Sequence, residues 1–523
     1  MPPATPAAAA LPRSAAQRAT AAHRFIVVTI LGFASGLPLA LTGQAMQAWL
    51  SVEGLDVATI GFLSLVGLPY TFKFLWAPLM DRFDLPLLGR RRGWLVATQL
   101  LLALLLFVLA GISPKGATQA FALLAVAVAF MSASQDVVID AYRTDLLPAL
   151  ERGLGASLAV AGYRLAMILS GGIALIWTDA QQGGGWSWPE VYRLMAGLMV
   201  AAAAVSATLL PKLAPPPAAP TTGHSIRNDL LGFVAVVAAV IVGYVFTDQV
   251  VAPLVRQLMA PLWQGSTLGA PLQGRWADLV SLLVGIGITL PLAAWAARRA
   301  KFETLLSGLR NYFSQSGAAA FLVFIVLYKL GDAFAGSLMT PFLLKSMAFS
   351  PAEVGVVNKV IGLWLTIGGA LMLKLGLWRA LLVFGILQMA SNVGFWWLAV
   401  SGKGLMPGLV IPAFDWGFVS LAAPTPVDGG LLMVIAFENL SGGMGTAAFL
   451  AFLMSLCNQR FTATQFALLS AFASVGRVWV GPLAGVLAES IGWPAFFIVS
   501  TVAALPALLM LWWMRASVRA LEA

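Results

Sequence analysis

The sequence predicts an all-α polytopic membrane protein: two six-helix halves with two extra helices between them, fourteen transmembrane helices in all. Three observations carry that prediction. Hydrophobic residues fill 60% of the 523 positions and charged residues only 10%, too little polar surface to wrap a water-soluble domain. Apolar windows of about 20 residues, each able to cross roughly 30 Å of hydrocarbon, recur along nearly the whole chain. Segments of the first group of six also resemble segments of the last. The spans are helices, because a barrel would need short alternating strands.

Residues 1–24, rich in Ala and Pro, read as a disordered cytoplasmic tail and not as a signal peptide. Helices are expected at 25–48, 58–81, 93–112, 117–141, 153–178 and 190–211, forming an N-terminal bundle over 25–211. The stretch 212–228, KLAPPPAAPTTGHSIRN, has the composition of a cytoplasmic linker. Two extra helices, 229–251 and 277–298, occupy 229–298, and a polar cytoplasmic hinge follows at 299–316. The C-terminal bundle, 317–515, takes helices at 317–344, 353–375, 379–400, 428–456, 462–488 and 493–515, with a short cytoplasmic tail at 516–523. Inside it, 401–428 is apolar but broken by four prolines, and reads as an interfacial or re-entrant periplasmic loop.

This layout places twenty Lys and Arg residues on the side of the termini and six on the other, which puts both termini in the cytoplasm. The net charge of +10 is therefore topological, and no nucleic-acid partner is expected. The single cysteine, Cys457, excludes an internal disulfide, and neither His23 nor His224 falls in an expected span. No metal site, cofactor or histidine proton relay is expected.

The two halves are related in sequence. DVATIGFLSLVG in the second helix resembles PAEVGVVNKVIG in the tenth, and VAGYRLAMILSGGIAL in the fifth resembles ASVGRVWVGPLAGVLA in the thirteenth. Gly61 thus aligns with Gly355, and Arg164 with Arg477. A parallel repeat of six plus six helices is the signature of the major facilitator fold, whose substrate site lies between the halves near the bilayer midplane.

Polar residues inside the spans are the candidate site. The fourth helix, AFALLAVAVAFMSASQDVVIDAYRTDL, carries Gln135, Asp136 and Asp140, with Arg143 beyond. Asp136 and Asp140 lie one turn apart on a face that Arg143 continues. A carboxylate in hydrocarbon is costly, so these side chains face the bundle interior, water or a partner. Asp140 with Arg143 reads as a structural pair near the cytoplasmic end; Asp136, deeper, reads as functional. Lys73, Tyr163, Arg164, Lys329, Asp332, Asn358, Lys359, Glu438, Asn439 and Arg477 are also intramembrane. Lys329 and Asp332 are spaced as a packed ion pair or as ligand groups, and both readings stand. Lys73 and Arg164 would attract substrate carboxylates, as a point charge and a bidentate fork. Tyr70, Tyr163 and the amides of Gln44, Gln135, Asn358 and Asn439 complete a polar cavity. Asp81 with Arg90, Arg91 and Arg92, in WAPLMDRF and GRRRGWL, reads as a gating group, or as charge bias alone; Arg477 is assigned to the gating and structural set. Trp49 reads as an interfacial anchor.

GLPYTFKFLWAPLMDR, SASQDVVIDAYRTDLLPALERG, VLYKLGDAFAGSLMTPFL and FENLSGGMGTAAFLAFLMSLCN together resemble the AmpG family of muropeptide permeases, over roughly residues 25–515. The resemblance implies a Gram-negative inner-membrane carrier of the major facilitator superfamily. Such a carrier imports N-acetylglucosaminyl-1,6-anhydro-N-acetylmuramyl peptides with protons for peptidoglycan recycling, and so feeds β-lactamase induction. A monomer in the bilayer is expected. Proton coupling would fall to a buried carboxylate, Asp136 first and Glu438 second. Two alternatives stand beside it: an acetyl-CoA carrier, whose phosphates would also want Lys and Arg, and a membrane enzyme acting on lipid-linked cell-wall precursors.

Overall fold

The structure is a computed structural model that describes residues 15–77, 80, 88–148, 151–211, 226–314, 317–357, 375–456 and 462–521. Eleven described helical stretches are long and apolar enough to cross a membrane. One of them, Leu468–Trp513, holds the thirteenth and fourteenth helices, joined at Gly492 with φ 76°. The ninth helix, Ala318–Gly336, contains a shorter apolar stretch, and most of the expected tenth lies outside the described residues. Fourteen spans, six in each half and two between them, fit this arrangement.

The first helix begins at Ala15, not at 25, and runs to Leu41 before resuming as Gln44–Val52. The reason is local: 15–22 is a run of good helix formers. Arg24 at the end of that run donates twice to Glu151, at 2.8 Å and 2.8 Å, tying the extension to the start of the fifth helix. Trp49 is another correction. It is 2% exposed, packed edge-on to Phe121 and against Tyr192, so its ring belongs to the core and not to the lipid interface.

The start of the described first helix and the end of the fourteenth share one face of the bundle, here the terminal face; the opposite side is the hairpin face. Towards the hairpin face a single apolar core runs through both halves, joining Trp49, Phe121 and Tyr192 to Phe334, Phe342 and Phe496. Towards the terminal face each half keeps its own core: Val28, Trp76, Leu95 and Tyr142 in the N-terminal half; Phe324, Tyr328, Trp378 and Phe452 in the other. Phe74 of the second helix (Val57–Leu75) alone among the described second-helix residues reaches the C-terminal core.

The hydrogen bonds described between the halves follow the same division. Gln47 donates to the Ser337 carbonyl (2.8 Å), Ser64 to the Val478 carbonyl (3.1 Å), Ser350 to Gln182 (2.7 Å), and Lys345 to the Leu55 carbonyl. All lie at or towards the hairpin face.

The seventh and eighth helices, Arg227–Trp263 and Ala270–Arg299, flank the bundle and expose Val240, Ile241, Val242 and Leu290. The eighth is pinned at its outer end to both halves: Arg275 donates to Asp56 (3.1 Å) and Thr59 (2.5 Å), and the Trp276 indole N–H donates to Ser490 (2.9 Å).

Residues 401–428 carry strands, a form that the expected interfacial or re-entrant loop did not specify. They fold as one interrupted antiparallel ribbon, β1 (Leu409–Ile411) with β4 (Thr425–Val427) and β2 (Phe414–Asp415) with β3 (Ser420–Leu421). The β-branched and aromatic residues between the prolines favour strand, and Gly417, at φ 81°, makes the turn. Buried Glu353 clamps the base by accepting from the Asp428 N–H (2.7 Å) and from Lys403 (3.3 Å).

Candidate functional site

Asp136 lies at the meeting point of three helices. The fourth helix (Thr118–Leu146) supplies it, Ser35 of the first donates its hydroxyl at 2.6 Å, and Lys73 of the second is a nearby cation. Asp140, one turn on, is its like-charged neighbour. Tyr70 stands among Thr42, Ser132, Asp136 and Tyr163. The cluster is thus a carboxylate, an ammonium, two phenols and hydroxyls, assembled from the first, second, fourth and fifth helices. In hydrocarbon such groups persist only by satisfying each other or a ligand.

Two amides nearby are not satisfied. Gln135 is fully buried and neither of its amide atoms has a partner; the Gln44 carbonyl oxygen is likewise unpartnered. Arg164 of the fifth helix (Leu158–Thr178) is half-buried, with no partner among the described residues. Among the described residues nothing uses this hydrogen-bonding capacity.

The C-terminal candidates are placed differently. Lys329 is buried, donates to the Thr446 hydroxyl (3.3 Å) and sits 5.2 Å from the centre of the Phe449 ring. Asn439 donates to the Ile435 carbonyl of its own helix (2.9 Å), and Glu438 is half-buried beside it. Asn358 and Lys359 lie outside the described residues, as do the side chains of Asp332 and Arg477.

Near the terminal face, Arg143 donates to Asp140 (3.0 Å) and Arg91 to Asp145 (3.1 Å), while Arg92 reaches the Ala207 carbonyl. These bonds stay within the N-terminal half. Asp81 and the Arg90 side chain lie outside the described residues.

Ser35 is not visible from the sequence, because a lone serine among apolar residues carries no periodic signal. Asp179 and Glu489 show there only as acids at span ends.

The chain matches the family model described as Major Facilitator Superfamily over residues 28–428. It is 43% identical over 493 residues to the anhydromuropeptide permease of Escherichia coli K12, spanning 93% of this chain and 79% of that protein. It is 31% identical to an uncharacterized protein of Haemophilus influenzae, covering 94% of each. Among solved structures it resembles a mutant of the peptide transporter POT in complex with sulfate, with a TM-score of 0.63, 16% identity, and 95% and 96% of the two chains covered.

Proposed function

The chain belongs to the major facilitator superfamily and, within it, to the anhydromuropeptide permeases; on that premise we propose that it imports anhydromuropeptides across the bacterial inner membrane, driven by protons. The observation that carries the reading is the likeness to the E. coli permease over nearly the whole chain. That relative and the structural neighbour are transporters, not enzymes, so the cell-wall enzyme is set aside. The acetyl-CoA carrier stands behind it for want of a comparable likeness. Supply of cytoplasmic muropeptide for β-lactamase induction follows as part of the same proposal.

In this reading the terminal face is cytoplasmic and the hairpin face periplasmic, by the charge bias of the loops. Among the described residues the shared core lies towards the periplasm, with Phe74 as the second helix's contact to the C-terminal core at the other end, and this is the arrangement of a carrier turned inward.

Asp136 is the coupling carboxylate. Ionised, it accepts from the Ser35 hydroxyl and lies within the field of Lys73, with no ion pair between the two within 4 Å. A proton delivered to Asp136 removes the counter-charge from Lys73, which is then free to attract a carboxylate of the muropeptide. Proton and anionic substrate therefore load together. Arg164, Gln135, Gln44, Tyr70 and Tyr163 complete the N-terminal side of the site; Glu438, Lys329, Asp332, Asn358 and Asn439 form its C-terminal side. Asp81, Arg90, Arg91, Arg92, Asp140, Arg143 and Arg477 act in gating and structure.

The test is uptake of labelled anhydromuropeptide by proteoliposomes with and without an inward proton gradient. Wild-type protein accumulates substrate and loses the accumulation on addition of a protonophore. Asp136→Asn abolishes gradient-driven accumulation while the melting temperature holds. Normal pH-dependent accumulation by that variant overturns the assignment of Asp136, and absence of uptake by folded wild type overturns the substrate.

A further inference from the structure

The sequence repeat, carried into the structure, exposes a pair of equivalent contacts on the hairpin face. The alignment that pairs Gly61 with Gly355 also pairs Asp56 with Ser350 and Ala58 with Ala352. Asp56 and Ser350 cap their own helices: Asp56 accepts from the Thr59 N–H (2.8 Å) and Ser350 from the Glu353 N–H (3.1 Å). Each of these caps has a second acceptor beside it, from the opposite half. Glu489, at the outer end of the thirteenth helix, accepts from the Val57 and Ala58 N–H groups (2.6 and 3.2 Å). Asp179, at the outer end of the fifth, accepts from the Ala352 N–H (3.0 Å). The fifth and thirteenth helices are themselves partners in the repeat.

We infer that Asp179 and Glu489 are the two latches of the periplasmic gate: each carboxylate holds the first turn of a helix in the opposite half, and the bonds of both must break for the carrier to face outward. The inference rests on the alternating-access reading above and assigns to it residues that lie outside the substrate site. A carboxylate suits the task for two reasons. Free N–H groups at the start of a helix need an acceptor once the seam closes over them, and negative charge there is favoured by the helix dipole. When the seam opens, water takes over both roles, so the latch is reversible.

The two latches are not equal. Asp179 is 4% exposed and also holds its own turn by accepting from the Gln181 and Gln182 N–H groups (2.9 Å each). Glu489 is exposed. Water screens the second more than the first, so Asp179 is the stronger latch.

The test measures gate opening directly in the full chain. Pairs of spin labels at Val52 with Ile491, and at Ala180 with Ser346, on a Cys457→Ser background, report distances across the two seams in proteoliposomes. In otherwise wild-type protein without substrate, the short, closed population dominates both seams. Asp179→Asn raises the ratio of open to closed by roughly tenfold, and Glu489→Gln by about threefold, as the loss of a buried and of an exposed charge-assisted bond would give. Asp179→Glu restores the closed state in part. Glu489→Gln leaves the core untouched, so it reads the latch even where Asp179→Asn impairs folding. Closed distributions in both variants, identical to wild type with and without substrate, overturn the inference. The outcome separates from that of uptake: opening without muropeptide uptake keeps the latches and overturns the substrate, whereas uptake without any change of opening keeps the substrate and overturns the latches.

Discussion

Two seams close the hairpin face, and they are built alike and covered differently. In one, the second helix meets the thirteenth; in the other, the tenth meets the fifth. At the first, a Cβ on Gly61 would collide with the Gly481 carbonyl and stand 3.0 Å from the Gly485 Cα; at the second, a Cβ on Gly355 would stand 2.5 Å from the Gly172 carbonyl. The repeat pairs Gly172 with Gly485, so a close backbone approach recurs at paired positions, to the Cα in one seam and to the carbonyl in the other. The covers are unrelated. The eighth helix pins the first seam through Arg275 and Trp276, and the β-ribbon lies over the second, where Val419 and Leu421 pack on Ile176, Ala352 and Val356. The repeat therefore supplies the contact, and segments outside the repeat supply what distinguishes the seams.

Substitution at the contact has the largest effect. Gly355→Leu drives a side chain into backbone that cannot rotate away, at a cost of about 1–3 kcal/mol or more. The outer gate then cannot close, and uptake in proteoliposomes is lost. Gly61→Leu matches it if the seams are equivalent; a silent Gly61→Leu breaks the comparison.

Release of one cover comes next. Glu353→Gln weakens the clamp at the base of the ribbon, where a buried carboxylate holds Lys403 and the Asp428 N–H. Limited proteolysis within 402–428 speeds up by about fivefold, while the melting temperature falls little. Unchanged cleavage would mean that the apolar contacts hold the ribbon by themselves.

The smallest effect is at the other cover. Burial disfavours the charge on Asp56, but hydrogen bonds from the Thr59 hydroxyl and N–H and the nearby Arg275 outweigh it and hold the carboxyl below the usual aspartate range. A lowered carboxylate contributes stability that is fully present above its unfolded value, about 3.9, and is lost as pH falls through the folded one. The Arg275 pin therefore stays closed at mildly acidic pH. Arg275→Ala removes the pin and one of the influences that lower Asp56, so the Asp56 cap protonates at a higher pH, read by tryptophan fluorescence of Trp276. Both partners are partly exposed, so the change in overall stability is slight.

Much of this was legible in the sequence. The run of apolar windows gave the helical membrane class and the order of the described spans, and the paired motifs placed Gly61 and Gly355 in register before any contact was visible. Asp136 stood out because an acid that deep needs a reason. What stayed hidden depends on convergence. Nothing in the second helix says that Lys73 lies near Asp136, nor in the first that Ser35 meets it, because periodicity describes one helix at a time. The ribbon was hidden by its prolines, which disguise alternation, and Trp49 by its position near a span end, where indoles serve interfaces and cores alike.

The carboxylate latches have one more property. Their donors are main-chain N–H groups of Val57, Ala58 and Ala352, which nearly every amino acid supplies. Substitution on the donor side leaves the bond standing, so no compensating change is called for on the acceptor side. Searches for correlated substitutions between helices will pass over both contacts, and the acids at 179 and 489 will register only as constraints on single positions.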